Sequence, residues 1–161
     1  MTGRGHVDTN LVSRYFSSAS NNNQDIISIL EAVIKEYKKK ESINRIPITI
    51  FSNKKFGVLE ALVKYLKEST DLSYHEIAEI LHRDDRTIWT TYKKACKKEK
   101  ELFHTIKNVD TIDPKIFSDR KQAPLKALIT HLKGRGMTLK QISLALNRSY
   151  KNIWLTNKKK K

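Results

Sequence analysis

Apolar residues recur along this chain at the three-to-four spacing of helices, and the same pattern is written twice. Phe56, Leu59, Leu62, Val63 and Leu66 define one such face, as burial of one side of a helix requires. Sixty-six residues further on, Leu125-Lys-Ala-Leu-Ile-Thr-His-Leu132 repeats Leu59-Glu-Ala-Leu-Val-Lys-Tyr-Leu66, and Ile112-Asp-Pro-Lys-Ile-Phe-Ser118 repeats Ile46-Pro-Ile-Thr-Ile-Phe-Ser52. After a one-residue deletion, Ile77, Leu81, Arg83, Ile88, Trp89, Thr91, Lys93 and Lys94 return as Ile142, Leu146, Arg148, Ile153, Trp154, Thr156, Lys158 and Lys159. Eighteen of the 49 residues from Ile46 to Lys94 are identical in the second copy. The shared positions are mostly apolar, so both copies are expected to fold alike.

Each copy predicts three helices. An extended lead, Ile46 to Phe51, is kept out of helix by Pro47. Ser52 then caps a first helix ending near Glu68, with Phe51 and Phe56 placed as a hydrophobic staple. In the second copy Pro124 falls early in that helix, where it is tolerated, and Gly134-Arg-Gly136 ends it. Ser73 with Glu76, and Thr138 with Gln141, form capping boxes that open short second helices ending at Leu81 and Leu146. Ile77, Ile80 and Leu81, and Ile142, Ala145 and Leu146, face inward. The turns His82-Arg83-Asp84 and Asn147-Arg148-Ser149 follow. Asp84 and Ser149 suit the N-cap of a third helix, which carries Ile88, Trp89, Tyr92 and Ala95 in one copy and Ile153 and Trp154 in the other. Trp89 and Trp154 could stack on bases, but each follows an isoleucine that must face the core, so packing is the preferred assignment, as for Tyr92. Tyr150 has no aromatic counterpart and is expected at the surface.

A third region, residues 1–45, precedes the repeats. Ser17 to Gln24 is polar and turn-rich, an arm or loop. Asp25 can cap a helix running to about Lys40, along which Ile27, Leu30, Ile34 and Tyr37 form a seam beside Ile26 and Val33. The seam covers little more than two heptad turns, short of the three or four of a sustained coiled coil. It either packs on the repeats of its own chain or joins two chains as a homodimer through residues 25–40. The expected architecture is all-α: an N-terminal arm and helix (1–45), a first tri-helical unit with a linker (46–109), and a second with a Lys-rich tail (110–161).

Composition narrows the function. In 161 residues, 32 Lys and Arg stand against 17 Asp and Glu, a formal charge of +15. Such a surplus favours a polyanion, either nucleic acid or an anionic membrane surface. No apolar run approaches the ~20 residues of a membrane span, and the N-terminus lacks the apolar core of a secretion signal. A cytoplasmic, nucleoid-associated location is expected. The one cysteine, Cys96, allows no internal disulfide and no Cys/His zinc cluster, and reads as a small apolar filler. Without a secretory route, the glycosylation-like Asn147-Arg148-Ser149 is a chance match. No Gly-rich phosphate loop, nucleophile triad or paired-carboxylate site is present, so no catalytic residue, metal or cofactor is assigned and no enzyme is expected.

Glu76-Ile-Ala-Glu-Ile-Leu-His-Arg-Asp-Asp-Arg-Thr-Ile88 resembles the helix-turn-helix of the superfamily that includes sigma-factor region 4 and many small bacterial and archaeal regulators. The likeness covers residues 73–96 and, more loosely, 138–158. His82 and Asn147 stand where the family usually has Gly, and both residue types visit positive φ more readily than most. Arg83 and Arg148 stand where it usually has an apolar residue. The resemblance implies that each third helix enters the major groove and reads bases with its early residues: Asp85, Arg86, Thr87 and Thr90, and Tyr150, Lys151, Asn152 and Leu155. Arg or Lys can engage guanine, Asn adenine, and Thr or Leu the thymine methyl. Arg83, Arg148, Lys93, Lys94, Lys158 and Lys159 complete the contact set, the lysines on phosphates together with the tail to Lys161. The expected function is double-stranded DNA binding for sequence-specific transcriptional control. The alternatives are a nucleoid architectural protein of low specificity, an RNA-binding protein and a polymerase-docking adaptor.

Overall fold

The computed structural model describes residues 23–43, 45–70, 72–101 and 110–158, which are helical apart from loops and one two-stranded ladder. The chain divides into two compact units, 1–41 and 42–161. Helix α1 (Asn23–Ile43) begins before Asp25 and runs past Lys40, so Asp25 lies inside the helix rather than at its cap. Ile27, Leu30, Ile34 and Tyr37 line an exposed face of it.

The first copy contributes strand β1 (Ile46–Pro47), a 3-10 turn (Ile48–Ser52), and helices α2 (Val58–Ser69), α3 (Tyr74–Leu81) and α4 (Asp85–Lys98). The second gives strand β2 (Thr111–Ile112), a 3-10 turn (Pro114–Phe117), and helices α5 (Pro124–Gly134), α6 (Leu139–Ala145) and α7 (Tyr150–Lys158). The lead is therefore not extended to Phe51. After two strand residues it winds into a 3-10 turn, which buries Ile48, Ile50 and Phe51 together. Ser52 closes that turn by donating to the Thr49 carbonyl at 2.7 Å, and does not cap α2. That helix starts after Gly57, whose N–H donates to Glu60 Oε2 at 2.8 Å. Phe51 and Phe56 are both buried before α2 begins. Pro124 opens α5 as expected, and Gly136 takes a positive φ of 86° just beyond its end.

The copies are joined through equivalent residues. Strands β1 and β2 pair antiparallel with Ile46 opposite Ile112, its own counterpart in the repeat. The Phe51 and Phe117 rings, again counterparts, lie 5.8 Å apart. The 3-10 turn of each copy packs on the second helix of the other, and α2 packs on α5. Reciprocal contacts between equivalent elements define a local two-fold axis through the ladder, as in an isologous dimer. One buried cluster runs from Ile46 through Leu62, Ile77, Leu81 and Ile88 to Leu128, Ile142, Leu146 and Ile153. Modules of ~60 residues bury too little surface to be robust alone, and here two of them share a core. The symmetry breaks beside the ladder: Ile48 N–H donates to the Asp110 carbonyl at 3.0 Å, whereas its counterpart, Pro114, has no N–H to give.

Candidate nucleic-acid interface

The second and third helices of each copy are held by the same local devices. Ser73 Oγ accepts the Glu76 N–H at 3.1 Å while Glu76 Oε2 accepts the Ser73 N–H at 2.7 Å. Thr138 and Gln141 repeat this at 3.3 and 2.8 Å. Both second helices end on a left-handed residue, His82 at φ 49° and Asn147 at φ 48°. The closing bonds match too. Arg83 N–H reaches the Ala78 carbonyl at 2.8 Å and His82 N–H reaches Glu79 at 3.2 Å; Arg148 N–H reaches Ser143 at 3.0 Å and Asn147 N–H reaches Leu144 at 3.1 Å. Such paired bonds satisfy the last carbonyls of a helix and turn the chain sharply. Ala78 and Ser143, small and buried at this bend, let the next helix come close.

The caps of the third helices differ. Ser149 Oγ accepts the Asn152 N–H at 3.3 Å. Asp84 caps nothing with its side chain. Its carboxylate instead faces Thr87 Oγ1 and, from the other copy, Arg120 Nη2, each at 3.4 Å.

Helix α4 turns Ile88 and Ala95 inward and leaves Arg86, Trp89, Lys93 and Lys94 exposed, with Thr90 half-buried between them. Trp89 is 49% exposed and Trp154 37%, which overturns their assignment to the core. Ile88, Tyr92 and Ala95 are spaced by four and three, the spacing of one helix face. Trp89 is three residues from Arg86 and four from Lys93, on the opposite, polar face. Its neighbour in sequence is buried, but adjacent helical residues point ~100° apart. Lys93 Nζ lies 5.7 Å from the Trp89 ring centre, and Lys158 Nζ lies 4.0 Å from that of Trp154, so both copies build the same cation–ring pair. Tyr92 is half-buried against Tyr74, 5.8 Å between ring centres, in keeping with its packing assignment.

Arg86, Thr87, Thr90, Thr91 and Lys94 line one shallow groove. The Thr90 and Thr91 hydroxyls donate to carbonyls four residues back, each at 2.7 Å. Asp85 is exposed and held by His75 at 3.2 Å. On α7, Tyr150, Lys151, Asn152, Leu155 and Lys158 are exposed, so Tyr150 sits at the surface as expected. Lys159 and the rest of the tail lie outside the described residues.

Arg83 and Arg148 depart from the expected contact face. Both are half-buried, and the Nε of each is enclosed without a hydrogen-bond partner. Arg148 Nη2 donates to the Phe56 carbonyl of the other copy at 2.9 Å, which commits it to the joint. Burial, with Arg120 nearby, lowers the pKa of the Arg83 guanidinium. Two residues missed by the sequence reading stand at the third helices instead. Arg120 meets the start of α4, and its counterpart Lys54 lines a groove with Asn147, Arg148 and Ser149 at the start of α7. Each copy thus places a cation beside the other's third helix. Spacing within one copy could not reveal this, because the juxtaposition comes from the joint.

Among the described residues, no group of three or more His, Cys, Asp or Glu is placed to hold a metal ion, and no helix is long and apolar enough to cross a membrane. No protein family, curated protein or solved structure matches this chain.

Proposed function

We propose that this protein binds double-stranded DNA with α4 and α7 as the recognition helices of two helix-turn-helix units, and that it reads sequence to control transcription. The observation that carries this reading is the outward face the two helices share. Arg86, Trp89, Thr90 and Lys93 on one stand in register with Lys151, Trp154, Leu155 and Lys158 on the other, and both tryptophans are exposed there. Arg86 and Lys151 suit guanine, Asn152 suits adenine, and Thr90 and Leu155 suit thymine methyls. Each tryptophan adds a flat apolar surface between the base-reading residues and a lysine suited to phosphate. The net charge of +15 supplies the long-range attraction.

The exposed Ile27, Leu30, Ile34 and Tyr37 of α1 suit a homodimer through residues 25–40, in which each chain would carry its own pair of recognition helices. A second reading, docking on a protein such as a polymerase, draws on the exposed Leu144, Tyr150, Trp154 and Leu155 of the second copy.

Titration of a labelled duplex with the full chain tests the proposal. With ~6–10 phosphates neutralised, affinity should fall about 10³–10⁵-fold between ~50 and ~200 mM salt. Trp89→Ala should weaken binding while moving stability by no more than about 0.5 kcal/mol, as for a surface change. A flat salt response, or Trp89→Ala binding as well as wild type, contradicts it. Competition between selected and random duplexes separates a regulator from an architectural protein.

A further inference from the structure

The local two-fold relation between the copies has a consequence for the DNA they would read. Resting on the duplex-binding proposal above, we infer that one chain acts as a built-in dimer whose target is an inverted repeat with two unlike halves. Three independent contacts fix the relation: the antiparallel pairing of Ile46 with Ile112, the Phe51–Phe117 ring contact, and the reciprocal packing of each 3-10 turn on the other copy's second helix. A tandem repeat joined as beads on a string would read two half-sites in the same direction. Copies related by a two-fold axis run their recognition helices in opposite senses, and the symmetry of the site mirrors that of the protein.

The joint also brings the two copies together at the starts of both helices. Arg120 ties to Asp84 at the start of α4, and Lys54 lies beside Ser149 at the start of α7. These are equivalent positions, so a cation of the opposite copy stands beside the base-reading end of each helix. Arg148, bonded to the Phe56 carbonyl at 2.9 Å, ties the turn before α7 to the first copy. The separation of the two readers is therefore built into the fold, and the spacing between half-sites should be fixed. The reading residues themselves are not symmetric. Arg86, Thr87 and Thr90 face one half, and Lys151, Asn152 and Leu155 the other, so the halves should differ in sequence.

Selection of bound duplexes from a random pool by the full-length chain tests this inference. The expected product is an imperfect inverted repeat of one fixed spacing. Inserting about five base pairs, half a helical turn, moves one half to the opposite face of the duplex. It should lower affinity at least about tenfold, the scale of one lost bidentate base contact. Repeating the selection with Arg86→Ala should relax one half only, and with Lys151→Ala the other half only. A direct repeat, a single half-site, tolerance of the five-pair insertion, or binding without sequence preference would each overturn the inference while leaving duplex binding intact. Failure to retain any duplex would remove the underlying proposal, and the inference with it.

Discussion

The two copies hold equivalent helices with unequal grip. Helix α4 has 14 residues, and α7 has nine among the described residues. Ile88 and Ala95 anchor the first, with Tyr92 half-buried beside them; among the described residues of the second, Ile153 alone is buried. Lys98 pairs with Glu60 at 2.6 Å and Lys55 pairs with Glu99, tying the far end of α4 to the start of its copy. Burial alone would raise the Glu60 pKa, but Lys98 and the Gly57 N–H outweigh it and hold the carboxyl below its ordinary value. A buried Lys64–Glu68 pair, which Tyr92 Oη approaches at 3.4 Å, backs α4. The second copy has Thr130 and Gly134 in those places, and its α7 end is tied by Lys126 donating to the Asn157 carbonyl.

Charge runs the other way. Residues 46–109 carry a net +3 and residues 110–161 a net +10. The third helix of the first copy opens on Asp84, paired with Arg120, and Asp85, which His75 contacts at 3.2 Å; that of the second opens on Ser149, Tyr150 and Lys151. On the proposed DNA binding, a firmly held helix with little surplus charge suits discrimination, and a lightly held, strongly basic one suits general attraction to the backbone.

The comparison fails if the copies are independent, and this carries the largest expected effect. Phe51→Ala or Phe117→Ala should cost about 3–5 kcal/mol, and either should shift the unfolding of both copies together. Trp89 and Trp154 report one copy each when the other is replaced by Phe. Two separated denaturation midpoints would show that the core is not shared. Because it is shared, fragments cut between the copies should not fold, and full-length variants are the proper test.

Base reading comes next. Arg86→Ala should cost roughly 1–3 kcal/mol on the preferred site and almost nothing on random DNA. Lys158→Ala should weaken binding to all sequences and lower the salt slope by about one. The reverse pattern would exchange the jobs of the two copies.

Unequal grip should also appear in amide exchange. With fewer buried contacts, α7 should open more readily than α4. Equal protection of the two helices would remove the asymmetry.

The smallest effect concerns His131 on α5. Burial first, and Arg135 second, lower its pKa from the ordinary 6.5. As pH falls below 6.5 the unfolded chain therefore takes up the proton before the folded one, and stability declines until the folded pKa is passed. His131→Gln should flatten that part of the stability profile; an unchanged profile would place the acid sensitivity elsewhere.

Much of this fold was legible because the determinants are local. Capping boxes, left-handed turn positions and the core positions Ile77, Leu81, Ile88, Ile142, Leu146 and Ile153 follow from residues three or four apart. The start of α2 was not, because Ser52 is as good a cap by composition as Gly57, and only the burial of Phe51 and Phe56 ahead of the helix decides between them. Asp84 misled similarly, since its partner Arg120 is 36 residues away. The tryptophans were legible but misread: residue size was weighed above their place opposite the Ile88 face. The joint itself was hidden, because β1 and β2 are two residues each and nothing in a repeat states whether its copies stack in line or across an axis.

Backbone amide chemical-shift mapping during titration with a selected duplex tests the central claim most directly. The expected result is that the largest shifts fall in the first two turns of both α4 and α7, at Arg86, Thr87, Trp89 and Thr90 and at Lys151, Asn152, Trp154 and Leu155, with the joint around Ile46 and Ile112 little changed. Shifts confined to α1 or to one copy, or the same map obtained with heparin in place of DNA, would contradict it.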